Sequence, residues 1–120
     1  MPRLYHTAVS FNGTGVLFGG SGITEGFFGD LWTVTLPEGG LAPSWTSWAI
    51  PQGAPAPGPR AAHSAALLGS QMYVYGGRNT EQLFSDLWVL EVTTGQWTLL
   101  DADSSQTGGP GPRASHASVV

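Results

Sequence analysis

The 120-residue sequence contains no cysteine and no lysine. The first absence excludes disulfides and thiolate metal sites, and it favours a reducing, cytoplasmic compartment without specifying one. The second leaves four arginines, Arg3, Arg60, Arg78 and Arg113, against eight acidic residues, a formal net charge of −4. Binding to a nucleic-acid backbone requires clustered cations, so this balance argues against it. There is also no apolar run of about 18 residues, no basic amphipathic stretch and no signal-peptide core. Within these residues nothing reads as a membrane anchor or a secretory address.

What the chain does have is glycine and proline in quantity, 18 and 9 residues, alternating with five Trp, five Phe and three Tyr. That mixture predicts short strands joined by tight turns. It is also periodic. Adding 57 carries Pro2-Arg3, His6, Ala8, Val16, Phe18 and Gly19-Gly20 onto Pro59-Arg60, His63, Ala65, Tyr73, Tyr75 and Gly76-Gly77. Adding 56 carries Thr24-Glu25, Phe28 and Asp30-Leu31-Trp32 onto Thr80-Glu81, Phe84 and Asp86-Leu87-Trp88. A third copy opens at Pro112-Arg113 and His116-Ala117. The sequence therefore divides into a repeat at 1–58, a second at 59–111 and the beginning of a third at 112–120.

Pro-Arg-x-x-His, an apolar run closed by Gly-Gly, then Asp-Leu-Trp and a later Trp-Thr together resemble the kelch repeat, whose period is about 50 residues. The resemblance covers practically the whole chain. It implies an all-β fold, with one four-stranded antiparallel blade of a β-propeller per repeat. Two blades do not close a ring, so the expectation is part of a six- or seven-bladed propeller, completed by further blades of the same chain or by self-association.

Read in order, Tyr5 to Phe11 predicts the first strand of blade 1, with Asn12-Gly13-Thr14-Gly15 as a hairpin turn. Asn12-Gly13-Thr14 also fits the N-glycosylation acceptor pattern, though the turn explains it as well. Gly15 to Phe18 and Met72 to Tyr75 are apolar at consecutive positions, as strands covered on both faces are. Trp32, Val34 and Leu36, matched by Trp88, Leu90 and Val92, mark the expected core face of the third strand. Trp97 anchors the fourth. Its counterpart in the first repeat is Trp45 or Trp48, with Trp45 preferred on spacing. Ala49 to Pro59 and Asp101 to Pro112 read as Pro/Gly connections between blades.

Function has to be sought at the ends of the strands. In a four-strand meander the second-to-third loops and the blade-to-blade connections share one rim, and varied loops on a rigid scaffold carry recognition. Ile23, Phe27, Arg78 and Asn79 lie there and break the repeat, which makes them the partner-binding candidates. Residues that recur once per blade are expected to be structural: Arg3, His6, Gly19, Gly20, Asp30, Trp32, Arg60, His63, Gly76, Gly77, Asp86, Trp88, Trp97, Arg113 and His116. Contacts between arginine and aspartate, and between histidine and the next blade's backbone, are the expected roles. A histidine ring around the axis could in principle bind a metal, but the scaffold reading is preferred and no metal or cofactor is expected.

No catalytic constellation stands out. Gly19-Gly20-Ser21-Gly22 lacks the Gly-Lys-Ser/Thr ending of a phosphate loop, and Ser64 beside His63 defines no triad. A copper centre like that of galactose oxidase needs a cysteine-linked tyrosine, which this sequence cannot supply. The resemblance implies a non-catalytic scaffold that binds proteins of unknown identity, nearer to kelch proteins of the scaffold, actin-associated and trafficking-effector kinds than to cullin-ligase adaptors. The alternative is part of a kelch-propeller enzyme acting on a small carbohydrate or related metabolite.

Overall fold

The computed structural model describes residues 2–35, 42–50, 52–109 and 111. Arg113 and His116, the opening of the expected third repeat, lie outside the described residues, as does Leu36. Among the described residues, eight strands form two four-stranded antiparallel sheets in which each strand pairs with the next in sequence within its sheet. The first sheet contains β1 (Thr7–Phe11), β2 (Thr14–Phe18), β3 (Leu31–Thr35) and β4 (Ser44–Trp48). The second contains β5 (Ser64–Leu68), β6 (Gln71–Tyr75), β7 (Leu87–Glu91) and β8 (Gln96–Asp101). We call these sheets blade 1 and blade 2.

Turn chemistry sets the hairpins. Asn12 and Gly13 have φ of 48° and 77°, and Phe11 pairs with Thr14. A two-residue hairpin loop with both residues left-handed matches the twist of its strands. Register then repeats between blades: Leu17 faces Ala8 and Trp32, and Val74 faces Ala65 and Trp88. Val34 pairs with Trp45 and Leu90 with Trp97, so Trp45 is the counterpart of Trp97.

Strand alternation gives each sheet two faces, and one face from each sheet makes the core. Val9, Phe11, Val16, Phe18, Leu31 and Trp48 of blade 1 meet Ala65, Leu67, Met72, Val74, Trp88, Leu90 and Trp97 of blade 2. The rings of Phe18 and Trp97 lie 5.0 Å apart, and Trp97 stands edge-on to Trp88 at 6.5 Å. This corrects the expected core face of blade 1. Trp32 and Val34 are half-buried, while Leu31 on the opposite face is fully buried. The blades stack on unlike faces, so the face that is core in blade 2 is the outward one in blade 1.

Two further readings change. The first strand begins at Thr7, because Tyr5 takes a left-handed φ of 58° and Leu4 instead forms an isolated bridge with Ser21. Ala62, the repeat partner of Tyr5, has a φ of 57°. The connection after β8 is not plain loop either: Ser104–Gln106 form a 3-10 turn, with the Asp103 carboxylate accepting the Ser105 N–H and the Ser85 hydroxyl.

Candidate functional site

Arg3, Asp30 and Trp32, with Arg60, Asp86 and Trp88, hold the blades together. Arg3 donates two hydrogen bonds to the Asp30 carboxylate, at 2.7 and 3.0 Å, and one to the Gly19 carbonyl at 3.0 Å. Arg60 repeats the pattern with Asp86, at 2.6 and 2.9 Å, and with the Gly76 carbonyl at 3.0 Å. The indole N–H groups of Trp32 and Trp88 donate to Asp30 and Asp86, each at 2.8 Å. Each guanidinium also lies over a phenylalanine, Arg3 over Phe28 at 4.4 Å and Arg60 over Phe84 at 3.9 Å. The repeated Pro-Arg, Phe and Asp-Leu-Trp signatures are thus one contact per blade.

Both carboxyls are held below the usual aspartate range. At Asp30 the hydrogen bond from Arg3 is the main cause, opposed by burial and helped by Trp32 and the arginine charge. At Asp86 burial pushes upward most strongly, but the hydrogen bond and charge of Arg60 together with Trp88 outweigh it.

Histidine works between blades. His63 Nε2 and the Thr7 hydroxyl of blade 1 are hydrogen-bonded at 2.7 Å, and the imidazole stands edge-on to Phe18 at 5.2 Å. This contact to the adjacent blade is made to a side-chain hydroxyl. Thr7 falls at the repeat position of Ser64, a recurrence of hydroxyls that could have signalled the contact. His6, in blade 1, is exposed. Among the described residues no group of three or more His, Asp and Glu could hold a metal ion.

The glycine pairs divide the labour. A Cβ on Gly20 would meet the Leu4 carbonyl at 2.9 Å, and one on Gly77 the Ala61 carbonyl at 2.9 Å, so the second glycine lets the segment before the first strand of its own blade approach the end of the second. Gly19 serves the neighbouring blade: a Cβ there would lie 2.8 Å from the Arg60 carbonyl. That carbonyl already accepts the Gly20 N–H at 2.8 Å. With φ of 71° at Gly19, alanine must distort both the backbone and the blade contact. Gly19→Ala should cost about 2–4 kcal/mol. Gly13→Ala, at φ 77° but with nothing within 4 Å, should cost only about 1–2 kcal/mol. Urea unfolding of the two variants checks the difference.

The rim carries the residues that break the repeat. Ser21 bridges Leu4 and Phe27, and at the equivalent place in blade 2 Arg78 bridges Ala61 and Leu83. The Arg78 guanidinium reaches back over Phe27 of blade 1 at 5.8 Å. Leu4, Phe27, Arg78 and Leu83 therefore make one row across both blades. No carboxylate of the described residues lies within 4.0 Å of Arg78, unlike Arg3 and Arg60. Ile23, in a loop closed by the Gly22 N–H on the Gly26 carbonyl at 2.9 Å, is 90% exposed. Asn79, at the repeat position of Ile23, is instead a loop brace: its Oδ1 accepts the N–H groups of Glu81 and Gln82 at 2.8 and 3.0 Å. Leu4 and Leu83, both exposed, belong to the row without being marked by any motif. The change from Leu4 to Ala61 between repeats is the signal that could have found the first.

A family profile described as "KLHDC2/KLHL20/DRC7 Kelch-repeats domain" matches residues 1–120. The chain belongs to the kelch-repeat family. Among curated relatives, host cell factor 2 of Homo sapiens is 30% identical over 141 aligned residues, which cover 99% of this chain and 17% of that protein. Multiple epidermal growth factor-like domains protein 8 of Rattus norvegicus is 36% identical over 101 residues, covering 79% of this chain and 4% of the relative. Kelch domain-containing protein 1 of Mus musculus is 44% identical over 55 residues, 46% of this chain and 13% of that one. The solved structure of YjhT superposes with a TM-score of 0.68 at 25% identity, covering all of this chain and 32% of YjhT. The kelch chain thus spans less than a fifth of these curated relatives and about a third of that structure.

Proposed function

We propose that this kelch segment is a non-catalytic protein-binding platform whose contact surface is the rim row of Leu4, Phe27, Arg78 and Leu83, with Ile23 standing above it. The observation that carries the reading is the division of labour between repeated and unrepeated residues. The repeated polar groups Arg3, Arg60, Asp30, Asp86 and His63 are bonded to one another, to the neighbouring blade and to the backbone. Of the unrepeated rim residues, Leu4, Ile23 and Leu83 are apolar and exposed, Phe27 is apolar and half-buried, and Arg78 is cationic without a carboxylate partner among the described residues. Ile23 is 90% exposed, so burial among the described residues does not explain an aliphatic residue there. Large apolar side chains grouped around one arginine are the residue types that anchor protein interfaces. The platform works as part of a closed six- or seven-bladed ring, with further blades of the same polypeptide, or copies of it, against the outward face of blade 1.

The test is affinity capture with quantitative mass spectrometry, comparing the wild-type chain with Ile23→Ser/Arg78→Ser. Proteins held by this rim should fall at least about tenfold in the double variant. They should persist with Ser70→Arg and Thr94→Arg, which alter turns at the opposite rim. Loss with the turn variants and retention with the rim variant would reject the assignment.

A further inference from the structure

The chain has two asparagines, and the structure places them in opposite chemical situations. Asn79 is followed by Thr80, and its side-chain oxygen is fixed by two backbone N–H groups. Asn12 is exposed, makes no side-chain hydrogen bond among the described residues, and is followed by Gly13. Space around Gly13 is open: a Cβ there would meet nothing within 4 Å. In the two-residue turn the ladder bonds belong to Phe11 and Thr14, so the Gly13 N–H is left without a hydrogen-bond partner among the described residues. A side-chain amide therefore sits one residue before an unhindered, unengaged backbone nitrogen.

We propose that Asn12-Gly13 is a site of spontaneous modification, at which Asn12 converts through a cyclic imide to aspartate and isoaspartate. Base removes the proton from the Gly13 amide, and the nitrogen attacks Cγ of Asn12. The N–Cγ bond forms, the Cγ–Nδ2 bond breaks, and the leaving nitrogen takes up a proton and departs as ammonia. Water then opens the five-membered imide at either carbonyl. Opening at Cγ restores the normal backbone with an aspartate side chain in place of the amide. Opening at the α-carbonyl runs the chain through the side chain as isoaspartate. Nothing is oxidised or reduced, and the only reactants are hydroxide and water. Aspartate keeps the turn, since Asp-Gly also accepts left-handed geometry. Isoaspartate adds a methylene to a loop whose length sets the Phe11–Thr14 register, and it is a substrate for a carboxyl methyltransferase that uses a sulfonium methyl donor.

The turn lies at the rim opposite Ile23 and Arg78, so the proposal stands or falls apart from the binding surface. The test ages the intact 120-residue chain in mildly alkaline buffer and cleaves it at arginine. Asn12 falls in the fragment between Arg3 and Arg60, and Asn79 in the one between Arg78 and Arg113. The Asn12 fragment should gain about 1 Da, become methylatable at isoaspartate and react faster as pH rises. The Asn79 fragment should change at least about tenfold more slowly, because its tethered amide cannot reach the attacking geometry. Asn12→Gln should abolish the change. Equal or faster conversion at Asn79 would overturn the proposal. So would a product containing aspartate without isoaspartate, or an unchanged Asn12 fragment after a blocked Phe-Asn-Gly-Thr peptide has fully converted.

Discussion

Replacing Asp86 by alanine should destabilise the chain by about 3–5 kcal/mol, the range for breaking a buried ion pair by removing one partner. Arg60 is 1% exposed, and without Asp86 its guanidinium keeps as hydrogen-bond acceptors only the carbonyls of Gly76 and Gly58 among the described residues, beside the face of Phe84. A full positive charge then stays out of water with half its partners, and the Trp88 indole N–H loses its acceptor as well. For a small domain holding about 5–15 kcal/mol in total, that is a large fraction. Asp30→Ala removes the equivalent carboxylate of blade 1, where Arg3 and Asp30 side chains are 11% and 33% exposed. Water can replace part of what is lost, so about 1–2 kcal/mol is expected. Urea unfolding of both variants tests the ranking, and an equal or larger loss at Asp30 would contradict it. The pairs also leave an acid signature. Each carboxyl titrates lower in the folded chain than in the unfolded one, so the stabilisation is complete above about pH 4 and disappears as pH falls through the folded values. Asp86→Ala and Asp30→Ala should each flatten that acid-side slope.

The sequence discloses this arrangement unevenly. Repetition makes Arg3, Asp30 and Trp32 visible as a set, because a contact needed once per blade writes the same residues once per repeat. The Gly-Gly pairs are legible for the same reason. What repetition cannot disclose is which neighbour each residue serves. Gly19 and Gly20 are adjacent in the chain, yet one admits the next blade's Arg60 carbonyl and the other the Leu4 carbonyl of its own blade. Leu31 eludes the sequence on the same ground: alternation assigns residues to two faces but does not say which face meets a neighbour. Tyr5 reads as strand because nothing in its side chain announces a left-handed backbone. At the rim, departure from the repeat points to Ile23, Phe27 and Arg78. It also points to Asn79, whose side chain proves to brace its own loop.

The second large effect is expected at Trp97. Its indole is 2% exposed, lodged between Phe18 of blade 1 and Trp88 of its own blade. Trp97→Ala should cost about 3–5 kcal/mol, since the cavity opens at the junction of two sheets that cannot close over it without shifting. Part of the transfer gain is already lost in the wild type. The Trp97 N–H is buried with no acceptor among the described residues, a penalty of about 1–3 kcal/mol. Trp97→Phe deletes that orphan donor along with some ring volume, so it should recover most of the loss. Trp45 occupies the same place in blade 1 and supplies the internal comparison. It is 54% exposed, on the outward face beside a cavity of about 340 Å³ lined by Arg3, Leu17 and Trp32. Trp45→Ala in this 120-residue chain should therefore cost no more than about 1 kcal/mol. Once another blade covers that face, the same substitution should cost as much as Trp97→Ala does here. Measuring both tryptophans by urea unfolding, first in this chain and then in one extended by a preceding repeat, separates stacking from chance burial. A Trp45→Ala penalty that stayed small in the extended chain would mean that blade 1 is not covered in the way blade 2 is.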